Sequence, residues 1–392
     1  MEILFDEAPT FPRGFRCASR NCGLKIDGKD LALFASDTDA VAAAVFTRNQ
    51  FPGAPVILGR ETIKDGMLRA IVANSKVSNV ATGAEGLANA RRMAAAAAKE
   101  IGTTPGRILV SSTGVIGRQL PIEKIEAGLV GMSSDLQPDP LVGAAGIMTT
   151  DTHPKATSAR VAGSDATITW VAKGSGMIEP NMATMLAYIF TDASVERPAL
   201  DRMLRDAVHV SFNMLSVDTD TSTSDTCVIL ANGRAGRVDE QQFFDTLSAG
   251  CIRMTQTLAR DGEGAEHLIR AHVSGAASED EARRIAKSLV NSPLVKTMVH
   301  GADPNVGRLL MAVGKCFDCT IAPASTDASI NGYPVVRGGS RVEFDDAIVR
   351  ETLRREIVDL EVSVGAGTAT ATAFGCDLTK GYIDENAAYY SS

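Results

Sequence analysis

A mixed α+β fold follows from three features of the sequence. Apolar, β-like runs alternate with capped stretches of helical length, which packs strands and helices in layers. With 392 residues and 45% hydrophobic content, the chain can bury a sizeable core as one large or two intimate domains. No linker, low-complexity tract or internal repeat interrupts the sequence.

The elements read in order as follows. Residues 41–47 (VAAAVFT) and 55–58 (PVIL) are apolar strands, and 68–74 is a β-like segment ending in polar residues. Residues 82–101 are Ala-rich, carry Arg91, Arg92 and Lys99, and close on Gly102, the pattern of a helix with a terminal glycine. Residues 107–117 run from a buried strand into a Gly-punctuated turn. Glycine beside hydroxyl residues, as in Ser112-Thr113-Gly114, lets N–H groups converge on an anion or a developing oxyanion; a plain turn reads the same way. Residues 147–152 (IMTTDT) read as a further strand ending in hydroxyl groups, and 158–173 as a strand pair turning at Gly163-Ser164-Asp165 and delivering Lys173.

Beyond Thr184 an apolar strand runs to Asp192, and 197–209 reads as an amphipathic helix. The polar stretch 218–226 holds Asp218, Asp220 and Asp225. A calcium loop would need a central Gly and a terminal Glu, and without them a hydrogen-bonded turn or active-site loop is expected. A helix over 240–258 ends in ARDGEGA, where Gly262 and Gly264 let the backbone fold around Glu263, either to present it to a ligand or as a solvated helix end. Residues 267–274 form a strand, and Ser278-x-x-Glu281 is a capping box opening a helix over 281–289. The segments 293–297 and 301–308 lead into an apolar helix ending at Gly314. Strands are expected at 342–344 and 361–374, and the partly aromatic tail 377–392 reads as docked.

Composition narrows the functional classes. The net charge is −8 with no basic cluster, which argues against nucleic acid and anionic membranes as partners. No apolar run approaches the roughly 18 residues of a membrane span. The N-terminal stretch MEILFDEAPTFPRGF is acidic where a secretory leader is basic, so a cytoplasmic location is expected. Seven cysteines are scattered, Cys316 and Cys319 forming a lone CxxC, and five histidines are dispersed. Neither a metal nor a cofactor is expected.

The chemistry centres on 173–186, KGSGMIEPNMATML. A Gly-rich approach from Lys173 passes Pro180 and reaches a hydroxyl residue, Thr184, at the head of an apolar strand. An ordinary loop would look similar. A threonine there becomes a nucleophile if it has a base, and the nearest is its own α-amine, released by a cut between Ala183 and Thr184. Such an amine titrates at roughly 7.7–8.0 and can accept a proton near neutral pH.

This motif, with STGVIGRQLP, IMTTDTHPK, DTDTSTSDT, DGEGAE, NSPLVKT, GADPNVGR and the GYI…N…Y tail, resembles the self-cleaving ornithine acetyltransferase (glutamate N-acetyltransferase) family across nearly the whole chain. The resemblance implies an α chain 1–183 and a β chain 184–392 intertwined in one unit, assembled as a heterotetramer of two α and two β chains. It implies an αββα sandwich akin to N-terminal-nucleophile hydrolases but differently connected. It assigns Thr184 as the nucleophile that carries acetyl from N2-acetylornithine to glutamate by ping-pong transfer in arginine biosynthesis. Thr113 and Gly114 match the oxyanion hole; Thr149, Lys173, Thr184, Glu263, Asn386 and Ser391 match substrate-binding positions. Thr150 competes with Thr149 for that match, and Ser391 stands where a threonine is usual. Acetyl-CoA as a second donor, a secondary-metabolism paralogue, an amidase or aminopeptidase using water, and an uncleaved binding protein remain open at this point.

Overall fold

The computed structural model describes residues 3–179 and 185–387. The strands are β1 Phe15–Arg20, β2 Leu31–Phe46, β3 Met67–Asn74, β4 Ile108–Ser112, β5 Lys155–Arg160, β6 Thr167–Lys173, β7 Leu186–Ser194, β8 Leu215–Ser216, β9 Thr226–Arg237, β10 Leu268–Ala276, β11 Asp327–Ile330, β12 Tyr333–Arg337, β13 Ser340–Arg341, β14 Ile357–Ser363 and β15 Ala369–Cys376. The helices are α1 Ala54–Thr62, α2 Gly83–Ile101, α3 Ile122–Leu129, α4 Pro140–Ile147, α5 Arg197–Val210, α6 Glu240–Arg260, α7 Glu279–Asn291, α8 Pro293–His300, α9 Val306–Gly314, α10 Asp346–Leu353 and α11 Lys380–Asn386. The chain divides into two compact units, one of Met1–Gly174, Pro180–Asn213 and Thr221–Met254, the other of Ser175–Glu179, Met214–Asp220 and Thr255–Ser392. Each carries its own sheet, so the mixed α and β character expected from the sequence is what the chain has.

The first unit's sheet runs β4-β3-β2-β9-β7-β6-β5, with β1 paired to β2. Its strands are apolar on successive residues because both faces are covered. On one face Leu31, Leu33, Val72 and Val110 pack with Leu58 of α1, Ala94 and Ala98 of α2 and Ile125 of α3. On the other, Phe34, Ile71, Tyr188, Phe190 and Val228 surround Ala144 and Ile147 of α4. Two strands from beyond residue 184, β9 and β7, lie between β2 and β6: β2 pairs with β9 antiparallel, β9 with β7 parallel, and β7 with β6 antiparallel.

The second unit's sheet runs β13-β12-β11-β14-β10-β15-β8. Helix α7 packs on β10 and β15, and α8 and α9 pack on α7. The Ser278 side chain caps α7 as its sequence indicates, accepting the Glu281 N–H at 3.2 Å.

Three local readings of the sequence are corrected. Residues 55–58 belong to α1, not a strand: Pro55 sits in the first turn, where its missing N–H costs nothing, and Pro55, Val56 and Leu58 are buried while Ile57 faces outward. Ile147 ends α4, not a strand, and 148–152 is loop; Asp139 accepts the Leu141 N–H and Pro140 starts the helix. Residues 342–344 follow β13 outside any strand. The tail residues 380–386 form α11, which holds on by a few polar contacts and buries no residue. No helix among the described residues is long and apolar enough to cross a membrane.

Gly143 lets α4 approach the sheet, since a Cβ there would lie 2.3 Å from the Phe34 ring and 3.0 Å from Cys17 Sγ. Gly143→Ala is expected to lose about 1–3 kcal/mol of stability through overpacking, read as a lower urea midpoint at unchanged slope. An unchanged midpoint would show that α4 shifts freely on the sheet.

Candidate active site

Lys173 ends β6, and Thr113 and Gly114 follow β4 in the same unit. The turn after β4 is held by Asn74 at the end of β3. Asn74 O accepts the Thr113 N–H at 3.0 Å, Asn74 Oδ1 accepts the Ser112 hydroxyl at 2.6 Å, and Asn74 Nδ2 donates to Val77 O at 2.8 Å. With its amide spent on Asn74, Thr113 has its hydroxyl left to offer a reacting group. Lys173 Nζ donates to that hydroxyl oxygen across 3.4 Å, both side chains being buried, so the hydroxyl proton stays available for donation.

Gly114 has φ +124°, and a Cβ would fall 2.3 Å from the Lys76 carbonyl carbon, so only glycine fits there. Its N–H and the Thr113 hydroxyl are the donor pair this turn can present to an oxyanion.

Beneath Lys173 lies a buried ion pair that the sequence reading assigned no role. Lys155 Nζ and Asp151 Oδ1 are 2.6 Å apart with both side chains fully buried. The same oxygen accepts the Gly174 N–H at 2.7 Å, and Oδ2 accepts the Thr149 N–H at 2.9 Å. Burial alone would raise the Asp151 pKa. The charges of Lys173 and Lys155 with these hydrogen bonds outweigh it and hold the carboxyl at about 2. Thr149 and Thr150 are both half-buried in this loop, which Lys25 Nζ also ties down by donating to Met148 O at 2.7 Å. The only hint in the sequence was the i, i+4 spacing of Asp151 and Lys155 inside THP-type loop residues. Asp225, just before β9, is a second missed group: it is buried, and burial pushes its carboxyl well above the ordinary range against hydrogen bonds from Ser222, Thr47 and the Met185 backbone.

In the second unit Glu263 is buried and meets Asn386, whose Nδ2 donates to Glu263 Oε2 at 2.7 Å and to Tyr382 O at 2.9 Å. The glycines explain the closeness of the packing. A Cβ on Gly176 would lie 2.2 Å from the Glu263 carboxyl, and one on Gly264 (φ +68°) 2.5 Å from Tyr382 N. The Glu263 N–H donates to Ser175 O at 3.1 Å. Asp218 accepts the N–H groups of Met177 (2.6 Å) and Ile178 (2.8 Å), fixing the segment that precedes residue 180. The polar stretch thus works as the hydrogen-bonded loop that its composition indicated. Thr184, Ala183 and Ser391 lie outside the described residues. Among the rest, the structure joins Thr113 to Lys173 within one unit and Glu263 to Asn386 within the other.

A buried lysine beside a hydroxyl and a positive-φ glycine at strand ends is an arrangement in which enzymes place their reactive groups. The enzyme belongs to the ArgJ family, whose model matches residues 16–391. The chain is 44% identical to the arginine biosynthesis bifunctional protein ArgJ of Rhodococcoides fascians, over 98% of this chain and 96% of that one. It is 42% identical to the glutamate N-acetyltransferase Oat2 of Streptomyces clavuligerus, over 98% and 99% of the two chains. Among solved structures it is similar to the arginine biosynthesis bifunctional protein argJ of Bacillus halodurans, at 34% identity and a TM-score of 0.51, covering 53% of this chain and all of that one.

Asp151→Asn would leave Lys155 buried without its counter-charge, and a loss of about 3–5 kcal/mol of stability is expected. The wild-type contribution is full above the ordinary Asp value of 3.8 and fades as pH falls towards about 2. Urea melts of both proteins from pH 6 to pH 2.5 check this: the gap should narrow on acidification, and a pH-independent gap would contradict the ion-pair account.

Proposed function

We propose that this ArgJ-family enzyme is an N-acetyltransferase that takes the acetyl group of N2-acetylornithine and passes it to glutamate through an acetyl ester on Thr184. The observation that carries the reading is the buried Lys173–Thr113 contact beside Gly114, a donor set suited to a tetrahedral oxyanion. Relatives named for arginine biosynthesis and for glutamate N-acetyltransfer, matching almost end to end, support the same reaction.

Maturation precedes transfer. Thr184 Oγ attacks the Ala183 carbonyl and the acyl group moves from nitrogen to oxygen, which breaks the peptide bond and frees the Thr184 α-amine as the general base; water then hydrolyses the ester, leaving the Ala183 carboxylate and restoring the Thr184 hydroxyl. The same hydroxyl then takes acetyl from the donor's amide, ornithine leaves, and the glutamate amine accepts the acetyl group. Each half-reaction passes through a tetrahedral oxyanion for the Thr113 hydroxyl and Gly114 N–H to stabilise. Lys173 serves a substrate carboxylate as a point charge, Glu263 with Asn386 serves the ornithine ammonium, and Thr149 and Ser391 complete the substrate contacts.

The topology supports cleavage without separation. An α chain 1–183 would keep β1 to β6, and a β chain 184–392 would supply β7 and β9 between β2 and β6 of the same sheet, so neither piece holds that sheet alone.

Intact mass of the purified protein should show fragments ending at Ala183 and beginning at Thr184, and Thr184→Ala should give one uncut chain without transfer. A Thr184→Ala protein that still splits there removes the nucleophile assignment. Thr113→Ala should slow both maturation and transfer by roughly 10²–10³; wild-type rates would remove the oxyanion role. Gly114→Ala is the poorer probe because it clashes with Lys76. Consumption of acetylornithine should require glutamate, and consumption without it would favour an amidase.

A further inference from the structure

Glu266 and His267 stand immediately before β10, and Asp377 immediately after β15. The antiparallel pairing of those strands, with Leu268 opposite Cys376, brings the three residues to one end of the second unit's sheet. No sequence spacing announces the cluster, because its halves are more than a hundred residues apart. Each of the three contributes a potential ligand atom, and these atoms all lie within 4.8 Å of one another. His300, the last residue of α8, adds its Nδ1 at 3.5 Å from Glu266 Oε2 and 3.4 Å from Asp377 Oδ2.

Asp377 is the informative member. It is 2% exposed, and its Oδ1 accepts the N–H groups of Glu266 and His267, both at 2.9 Å. Its Oδ2 is equally buried yet makes no hydrogen bond among the described residues. Leaving a buried carboxylate oxygen without a hydrogen bond is costly, and what this one has beside it is His300 Nδ1 at 3.4 Å. His267 is oriented as metal ligands are: its Nδ1 sits 2.7 Å from the Arg355 carbonyl, a contact that places the ring proton on Nδ1 and the lone pair on Nε2.

We infer that Glu266, His267, His300 and Asp377 form a binding site for one divalent transition-metal ion of the zinc class. Two imidazole nitrogens and two carboxylate oxygens are a donor set such an ion accepts in tetrahedral geometry, and the ion would satisfy Asp377 Oδ2. The site is made wholly of second-unit residues, and none of its members is assigned to the transfer chemistry.

The test uses the full chain as purified, stripped with EDTA and dialysed. Titration with zinc chloride by calorimetry and with cobalt chloride by visible absorption should show about one equivalent bound, the cobalt bands having the intensity of a tetrahedral site. Glu266→Gln and His300→Ala change exposed side chains and should each weaken binding at least about tenfold. Both should also lose the zinc-dependent rise in melting temperature that the wild type shows. Asp377→Asn is the less useful variant because Asp377 also holds two backbone N–H groups. The double variant Cys316→Ser, Cys319→Ser should bind as the wild type does. Absence of saturable binding, or binding that follows the two cysteines and survives His300→Ala, overturns the site and leaves His300 as a side chain that only bridges two carboxylates.

Discussion

The Asp151 carboxylate is the constraint on which the first unit's site depends. One buried group neutralises Lys155, receives the Gly174 N–H at the end of β6, receives the Thr149 N–H in the loop after α4, and lowers the cost of burying Lys173 nearby. Burial without such a field favours the neutral form of a lysine. The α4 glycines and the Lys25 contact matter for the same reason, since both fix the loop that carries Asp151. Packing, charge and site geometry are here one arrangement seen from three sides.

The second unit treats its carboxylate differently. Glu263 packs against Gly176 and takes a hydrogen bond from Asn386 on a largely exposed helix. The cost is borne by the backbone, in Gly264 at positive φ and in Met177, a non-glycine residue at φ +53°.

Much of this was legible in the sequence, for identifiable reasons. Helix α2 was marked by alanines and Gly102, α7 by its capping box, and β3, β4 and β7 by apolar runs longer than a turn can bury. Of the segments misread, 55–58 is a short apolar run in which periodicity cannot separate a buried strand from a buried helix turn, while 147–152 straddles the last residue of α4 and the polar loop after it. In both the deciding signal was a proline at the helix start. Lys173, Thr113 and Glu263 were picked out because glycines stand beside them and because the motifs resemble a family. Asp151, Lys155 and Asp225 escaped because their significance is burial, and burial of a charged residue depends on partners distant in the chain or hidden in the fold.

The interleaving of strands from either side of residue 184 has a kinetic meaning. In the intact chain, β6 and β7 meet through a short connection, so their pairing is a unimolecular event with a high effective local concentration. Were that connection severed, the first unit's sheet could be rebuilt only by collision of two polypeptides. Its recovery after denaturation would then become second order in protein, slower on dilution and open to competition from strands of other molecules. A scission that leaves every contact of the native state in place would therefore make folding, in effect, a one-time event.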